Sequence, residues 1–171
     1  MLYLLTFSCY GTHLPGDARG SSDHVRQGTH EFIPPSLGLE TYHRRHLRQK
    51  PHVLSTPKTR ALVREEIVEV CRFRDWQLYA LHVRSNHVHG IVEAEAPASR
   101  VFGDWKAYAT RSLRASGEDS IGRVYWTHGG SARHIRTNDD LTRLIEYVLN
   151  GQGAPMETYC KLFPLTGVYI Q

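Results

Sequence analysis

The sequence predicts an α+β fold whose strands and helices follow one another in the order β-α-β-β-α-β. Three observations support it: short segments rich in β-branched and aromatic residues, two longer segments with apolar residues at helical spacing, and a tight turn between the two middle strands. This order is the split β-α-β or ferredoxin-like pattern, which is built on an antiparallel sheet. A further amphipathic helix follows it near the C-terminus.

The first half of the pattern has clear start and stop signals. Residues 2–10 are rich in strand-forming side chains, and a glycine follows them. Thr56 can cap a helix over 57–76, which begins with proline and carries an apolar stripe. Residues 77–83 and 87–93 are strands joined by a three-residue turn, so we expect an antiparallel hairpin there.

The second half begins with a helix over 98–115, which Gly117 closes. The fourth strand is predicted at 123–126, with 133–135 as a second candidate after a Gly-Gly turn. Either Thr137 or Asn138 can then cap the last helix. Its apolar residues recur at helical spacing and are Leu141, Leu144, Ile145, Val148 and Leu149.

The chain length of 171 residues fits one domain over 1–171. Residues 13–55 are polar and rich in glycine and proline, which predicts a long loop insertion with at most a short helix at 39–48. Residues 154–171 form a C-terminal tail. No apolar run is long enough to span a membrane, and no export signal or cysteine framework is visible, so a cytoplasmic protein is expected.

The segment 41–60 carries six basic residues and no acidic one: Arg44, Arg45, Arg48, Lys50, Lys58 and Arg60. Such an uneven distribution, in a chain of net charge +4, suits a nucleic-acid phosphate backbone. A solvated basic face without a partner is an equally good interpretation of this segment taken alone.

His87 and His89 are two residues apart on a predicted strand, so both imidazoles project from the same face. Two neutral imidazoles can hold one divalent ion and leave positions open for a substrate phosphate. The pattern alone is weak, because partly exposed packing histidines produce it too.

Tyr147 lies on the polar side of the last predicted helix. At about 100° per residue it stands roughly 130° from the centre of the apolar stripe. The helix does not need it for its own core contact, so it either packs beneath another element or acts as a nucleophile. Asn150 and Gln152 follow it and offer amide oxygens suited to Mg²⁺ or Mn²⁺, although Asn150-Gly151 is also an ordinary helix end.

These features occur together in three runs: SNHVHGIV at 85–92, KAYATR at 106–111 and EYVLN at 146–150. In this order they resemble the single-tyrosine transposases of the HUH endonuclease superfamily, the IS two-hundred group, and in particular the REP-associated tyrosine transposases. The resemblance covers residues 1–12 and about 56–153. It leaves out the long early loop and the tail.

The resemblance implies that His87 and His89 bind Mg²⁺ or Mn²⁺ and that Tyr147 attacks single-stranded DNA, giving a 5′-phosphotyrosine link and a free 3′-OH. It implies a DNA hairpin as partner and a monomer or homodimer. The family often places a metal-binding amide four residues after the tyrosine, where this chain has Gly151, so the third ligand shifts to Asn150 or Gln152. The candidate nucleic-acid-binding residues are Arg44, Arg45, Arg48, Lys50, Lys106 and Arg111.

Two other functions fit the same residues. A domesticated protein could bind DNA or RNA hairpins without cutting them, which the glycine at position 151 and the unusual loop would explain. A metal-dependent phosphodiesterase could use the histidines while Tyr147 serves only the structure. The ferredoxin-like scaffold hosts many functions and does not choose among them.

Overall fold

The computed structural model describes residues 1–25, 29–117 and 122–161, with side chains throughout except at 22–31. In chain order the elements are β1 (Leu2–Ser8), β2 (Ser21–Val25), β3 (Thr29–Ile33), α1 (Leu37–Arg45), α2 (Pro57–Phe73), β4 (Gln77–Val83), β5 (His87–Glu93), α3 (Ala98–Ala115), β6 (Ser131–His134), α4 (Asn138–Asn150) and β7 (Glu157–Cys160). No helix within these ranges has both the length and the apolar character that crossing a membrane requires.

Five strands form one sheet in the order β6-β1-β5-β4-β7, and every neighbouring pair is antiparallel. The strands β2 and β3 pair separately as a hairpin. Apart from β2, β3 and α1, which lie between β1 and α2, the elements up to β6 follow the order strand, helix, strand, strand, helix and strand: β1, α2, β4, β5, α3 and β6. The predicted mixed architecture with an antiparallel sheet is confirmed.

The two faces of the sheet are covered differently. Leu5 and Phe7 of β1 are buried in the larger core, which α2 and α3 complete on one face. On the opposite face α4 packs on β4 and β5, where its Leu144 and Val148 form a smaller cluster with Ile91. Because α4 covers only part of that face, the rest of it is available for a site.

Gly90 lies between His89 and Ile91 on β5 and faces α3. A Cβ atom there would come within 2.7 Å of Cη2 of Trp105, which is fully buried. Such a contact is far inside van der Waals range, so a side chain at this position would push the strand off the helix. The glycine therefore lets β5, the strand that carries both histidines, approach α3 closely.

Several predicted boundaries were wrong in the loop-rich parts of the chain. The segment 13–55 contains the β2–β3 hairpin, which was not predicted, besides α1, which agrees with the short helix expected at 39–48; its residues 26–28 lie outside the described ranges. The predicted tail contains β7, and its residues 162–171 are likewise not among those described. The helix predicted over 57–76 ends at Phe73, because Asp75 adopts a left-handed φ of 55°.

Of the two segments predicted for the fourth strand, 133–135 overlaps the observed β6, whereas 123–126 forms no strand of the sheet. In the segment 123–126, Trp126 makes an isolated bridge to Cys9, while Tyr125 and Trp126 are buried in the core. The strand in the sheet is β6, whose four residues are all exposed. A strand with no buried residue has no alternating pattern, and aromatic residues that fill a core from a loop imitate a strand.

Candidate active site

The two histidines predicted to share a face of the sheet do so in the structure. In the sheet register His89 lies opposite Thr6 of β1 on one side and His82 of β4 on the other, and His87 lies opposite Ser8. The two imidazole centroids are 4.7 Å apart. They project from the sheet face that α4 partly covers, next to the area where the apolar residues of α4 contact the sheet.

Each imidazole is oriented through its Nδ1 atom. His87 Nδ1 donates to Asn86 Oδ1 at 2.7 Å, because the amide oxygen can only accept. His89 Nδ1 lies 2.8 Å from Thr6 Oγ1, which accepts when the ring carries its hydrogen on Nδ1. Both contacts leave the Nε2 lone pair for an ion, as in metal-binding histidines whose second nitrogen is hydrogen-bonded.

Burial keeps both rings neutral. It lowers the pKa of His87 to about 4, and the positive charges of Arg84 and Arg19 add to that effect. Burial likewise lowers the pKa of His89 to about 3, with a further contribution from His87. A proton therefore does not compete with a cation for these nitrogens near neutral pH.

We expect these lowered pKa values to make the metal-free protein less stable in acid. An unfolded histidine takes up a proton near pH 6.5, whereas these two folded histidines do so only near pH 4 and pH 3. The contribution of the two rings to stability is then full above about pH 6.5 and falls as the pH drops through that window, by at most about 3 kcal/mol for each ring at pH 4. Urea unfolding in EDTA between pH 7 and pH 4 measures it.

A doubly substituted protein, His87→Gln with His89→Gln, should show a clearly flatter pH dependence. His46→Gln is the matched control, because that histidine is exposed on the far end of α1. If the double variant kept the wild-type slope, other groups would cause the acid sensitivity.

Gln152 brings an amide to the same place. Its side chain lines the cleft together with His87 and His89 and acts to raise the pKa of both, against the effect of burial, and its Nε2 atom is buried without a partner. Among the described residues no three His, Cys, Asp or Glu side chains cluster closely enough to hold a metal. The amide oxygen of Gln152 is a ligand type that suits Mg²⁺ or Mn²⁺. The residues present fit a divalent ion.

Asn150, the other predicted amide ligand, points elsewhere. It is exposed on α4, and its Nδ2 atom donates to Glu146 Oε1 at 2.8 Å. It does not line the cleft that contains the histidines, whereas Gln152 does. Of the two alternatives, the geometry favours Gln152.

Tyr147 stands beside the histidines on the exposed side of α4. Its ring centroid is 6.2 Å from that of His89, and 45% of the residue is exposed. Leu144, about one turn earlier, and Val148, the next residue, are buried against the sheet. A phenol in this position can be reached from solvent and lies next to the imidazole pair of its own chain.

Gly151 allows the Tyr147 ring to occupy this position. A Cβ atom on Gly151 would lie 2.9 Å from Tyr147 Cδ2 and 2.8 Å from the Tyr147 carbonyl oxygen. No residue with a side chain fits there while the ring stays in place. Gln152 follows Gly151 in the turn after the helix.

We expect Gly151→Ala to move the Tyr147 ring away from His89 while leaving the two imidazoles where they are. Chemistry that depends on the phenol should slow by about 10- to 100-fold, as misplacement of a reacting group by an ångström does. Affinity for Mn²⁺ should fall less than the rate does, because the two histidines are not displaced. Measuring both quantities on one preparation separates this effect from general unfolding, which would lower them together.

Two side chains at the end of β4, His82 in the strand and Arg84 just after it, fix the segment that carries Gln152 to the sheet; we call them the β4 anchors. His82 is fully buried, and its Nε2 atom accepts a hydrogen bond from Met156 N at 3.1 Å. Its Nδ1 atom must then donate to Val148 O, 2.9 Å away. Arg84 Nη1 donates to Ala154 O at 3.1 Å. Both ends of the segment 148–156 are therefore bound to the strand next to the histidines.

The histidines open into a cleft of about 440 Å³. Sequence reasoning identified His87, His89 and Gln152 in its lining. It missed others that the fold brings there, which include Thr6, His13, Arg19 and His128. The signal available for Arg19 was the run Gly-Asp-Ala-Arg-Gly at 16–20, in which an acidic and a basic residue stand two apart between glycines.

The predicted nucleic-acid-binding residues lie outside this cleft. Four of them are exposed on or just after α1, a helix without buried residues: Arg44, Arg45, Arg48 and Lys50. Arg111 stacks on the Tyr108 ring at 4.1 Å. Lys106 is partly buried, which lowers its pKa to about 8, and its Nζ atom donates to the carbonyls of Thr127 and Gly129. Lys106 therefore holds the turn beside the cleft.

Fold and site together define a class of domain in which an imidazole pair, an amide and a phenol meet on one face of an antiparallel sheet. A solved structure of a REP-associated tyrosine transposase bound to a REP hairpin is similar to this chain in fold, with a TM-score of 0.50 and 16% identity. The match covers 86% of this chain and 64% of that one, so this chain spans less than two-thirds of its length. No family model and no curated protein matches the chain.

Proposed function

We propose that this chain is a transposase-like enzyme that cleaves and rejoins single-stranded DNA through a covalent bond to Tyr147. The observation that carries the proposal is the position of the Tyr147 ring, 6.2 Å from His89 in the same chain and beside a cleft that also holds His87 and Gln152. The similar solved fold supports it. The proposal includes a ferredoxin-like assignment for the core, made of β1, α2, β4, β5, α3 and β6.

The covalent step exchanges one phosphodiester bond for another. The Tyr147 phenol loses its proton to water, and the oxygen attacks the phosphorus. The bond between phosphorus and the 3′-oxygen breaks, and that oxygen takes up a proton to become a free 3′-OH. The 5′-phosphate stays on Tyr147. Attack by a 3′-OH on the phosphotyrosine reverses the step, so rejoining needs no external energy source.

His87, His89 and Gln152 would hold Mg²⁺ or Mn²⁺ through two Nε2 atoms and one amide oxygen. Such an ion, when bound, supplies Lewis-acid polarisation of the phosphate. The chain's own contribution is to keep both imidazoles neutral and oriented through Asn86 and Thr6. Its β4 anchors hold the segment with Gln152 against the same strands.

The proposed substrate is single-stranded DNA that carries a hairpin. The exposed basic residues on and after α1 suit the two phosphate backbones of a hairpin stem: Arg44, Arg45, Arg48 and Lys50. The structure with the similar fold was solved with a REP hairpin. All site residues named here come from one chain, so a monomer suffices and a homodimer would carry two separate sites.

The experiment is to incubate the full chain with labelled single-stranded DNA containing imperfect palindromes, with Mn²⁺ or with EDTA. We expect a protein–DNA adduct that survives SDS and boiling, that appears with Mn²⁺ and not with EDTA, and that leaves a free 3′-OH. Salt-sensitive binding without a cut under any metal would instead indicate a domesticated binding protein. Metal-dependent hydrolysis without an adduct would indicate a phosphodiesterase.

A further inference from the structure

A short turn near the N-terminus supplies one wall of the cleft. Residues Thr12, His13 and Arg19 line it together with the imidazole pair. The turn reverses at Gly16 and Gly20, whose φ angles are +86° and +77°. These left-handed angles suit glycine, so the local sequence fixes the path that brings position 19 back to the cleft.

Asp17 holds the Arg19 guanidinium along one of its edges. Arg19 Nε donates to Asp17 Oδ1 at 2.8 Å, and Arg19 Nη2 donates to Oδ2 at 2.7 Å. The same carboxylate accepts the Arg19 backbone N–H at 2.9 Å. This paired geometry restrains a flexible side chain before any ligand arrives.

The guanidinium keeps donors for a ligand. Asp17 takes two of its five N–H groups, and Nη2 also contacts His13 Nδ1 at 3.2 Å and Thr12 O at 3.4 Å. The Arg19 side chain is 56% exposed, whereas that of Asp17 is only 13% exposed. The carboxylate is therefore mostly buried, and the guanidinium can be reached by a ligand. Its charge reaches His87, whose pKa it helps to lower.

We propose that Arg19 binds the DNA phosphodiester that Tyr147 attacks, with Asp17 as its positioning residue. This inference rests on the proposed function. A phosphodiester carries one negative charge, and the attacking phenolate raises it to two around the phosphorus in the transition state. An arginine that is already oriented can donate to the non-bridging oxygens without reorganising. Arg84, the other arginine that acts on His87, has a different task, because it donates to Ala154 O.

The first measurement is the single-turnover rate of adduct formation. Arg19→Gln should lower it by about 100-fold, the typical effect of removing one transition-state donor. Asp17→Asn should lower it less, since the guanidinium remains but is no longer held. The matched control is Arg72→Gln, which removes the same charge from an exposed arginine paired with Glu69 on α2. It should keep the wild-type rate.

The second measurement identifies the ligand atom. The cleavage position is mapped first with the wild-type adduct, and a hairpin oligonucleotide is then made with one uncharged methylphosphonate at that linkage. Binding is measured in a Tyr147→Phe background, where no cleavage occurs. Arg19→Gln should weaken binding of the ordinary DNA about tenfold and binding of the methylphosphonate DNA less than twofold.

An equal penalty on both DNAs would overturn the inference, because Arg19 would then act elsewhere. An unchanged adduct rate in Arg19→Gln would overturn it too. Thermal unfolding of each variant, with Arg19→Lys as a milder second substitution, identifies loss of fold. If the wild-type chain itself forms no adduct with any hairpin DNA, the proposed function fails, and that result is distinct from a failure of Arg19 alone.

Discussion

Tyr147→Phe should abolish the covalent protein–DNA adduct while leaving DNA binding and the fold intact. The substitution removes one oxygen atom and keeps the ring that packs 6.2 Å from His89. Phenylalanine has no atom that can bond to phosphorus, so we expect a loss of about 10³-fold or more, as with other lost nucleophiles. Denaturing gels after incubation with labelled hairpin DNA and Mn²⁺ measure the adduct.

The matched control is Tyr159→Phe, which removes the same oxygen atom from a partly buried tyrosine of β7 that packs on the larger core. Its adduct yield should equal that of the wild type. Hairpin affinity, measured with EDTA, should be the same within about twofold for both variants. An undiminished adduct in Tyr147→Phe would show that another residue is the nucleophile.

Gln152→Ala should weaken Mn²⁺ binding by about tenfold or more, the range found when a metal ligand or its support is lost. The substitution removes an amide within reach of both imidazoles and leaves the rings themselves in place. Asn150→Ala provides the matched control, because it removes an amide of the same chemistry two residues away that contacts Glu146. Titration of Mn²⁺ followed by calorimetry or electron paramagnetic resonance measures both affinities without DNA.

A second substitution at the same position tests the assignment of Gln152 as a metal ligand by a gain of affinity. Gln152→Glu places a carboxylate at the same position and should strengthen Mn²⁺ binding, since a charged oxygen is a better ligand for a hard cation. If Asn150→Ala weakened binding and Gln152→Ala did not, the ligand assignment would be reversed.

The parts of the fold that were predictable are those in which sequence periodicity and burial coincide. The hairpin of β4 and β5, the bounds of α3 and the Thr137 cap of α4 follow from alternation, helical spacing and capping residues. The placement of His87 and His89 on one face follows from the two-residue period of a strand. The exposed position of Tyr147 follows from the helix period in the same way.

The remainder depends on contacts between distant segments. Nothing local in the sequence indicates that Thr6 lies opposite His89, or that His82 binds Val148 O and Met156 N, because those relations arise from strand register and helix docking. Arg19 reaches the cleft through a turn whose direction depends on two left-handed glycines. The two carbonyl acceptors that a nearby turn supplies to Lys106 likewise come from a segment distant in the sequence.

The β4 anchors also bear on how the protein would behave in a mixed population. His82 and Arg84 bind the segment 148–156 to the strand beside the histidines of the same chain. We therefore expect each site to use the phenol and the imidazole pair of one chain. A His89→Ala copy and a Tyr147→Phe copy expressed in one cell should therefore fail to restore each other's activity. Genetic complementation between them would mean that copies exchange α4 in spite of these hydrogen bonds.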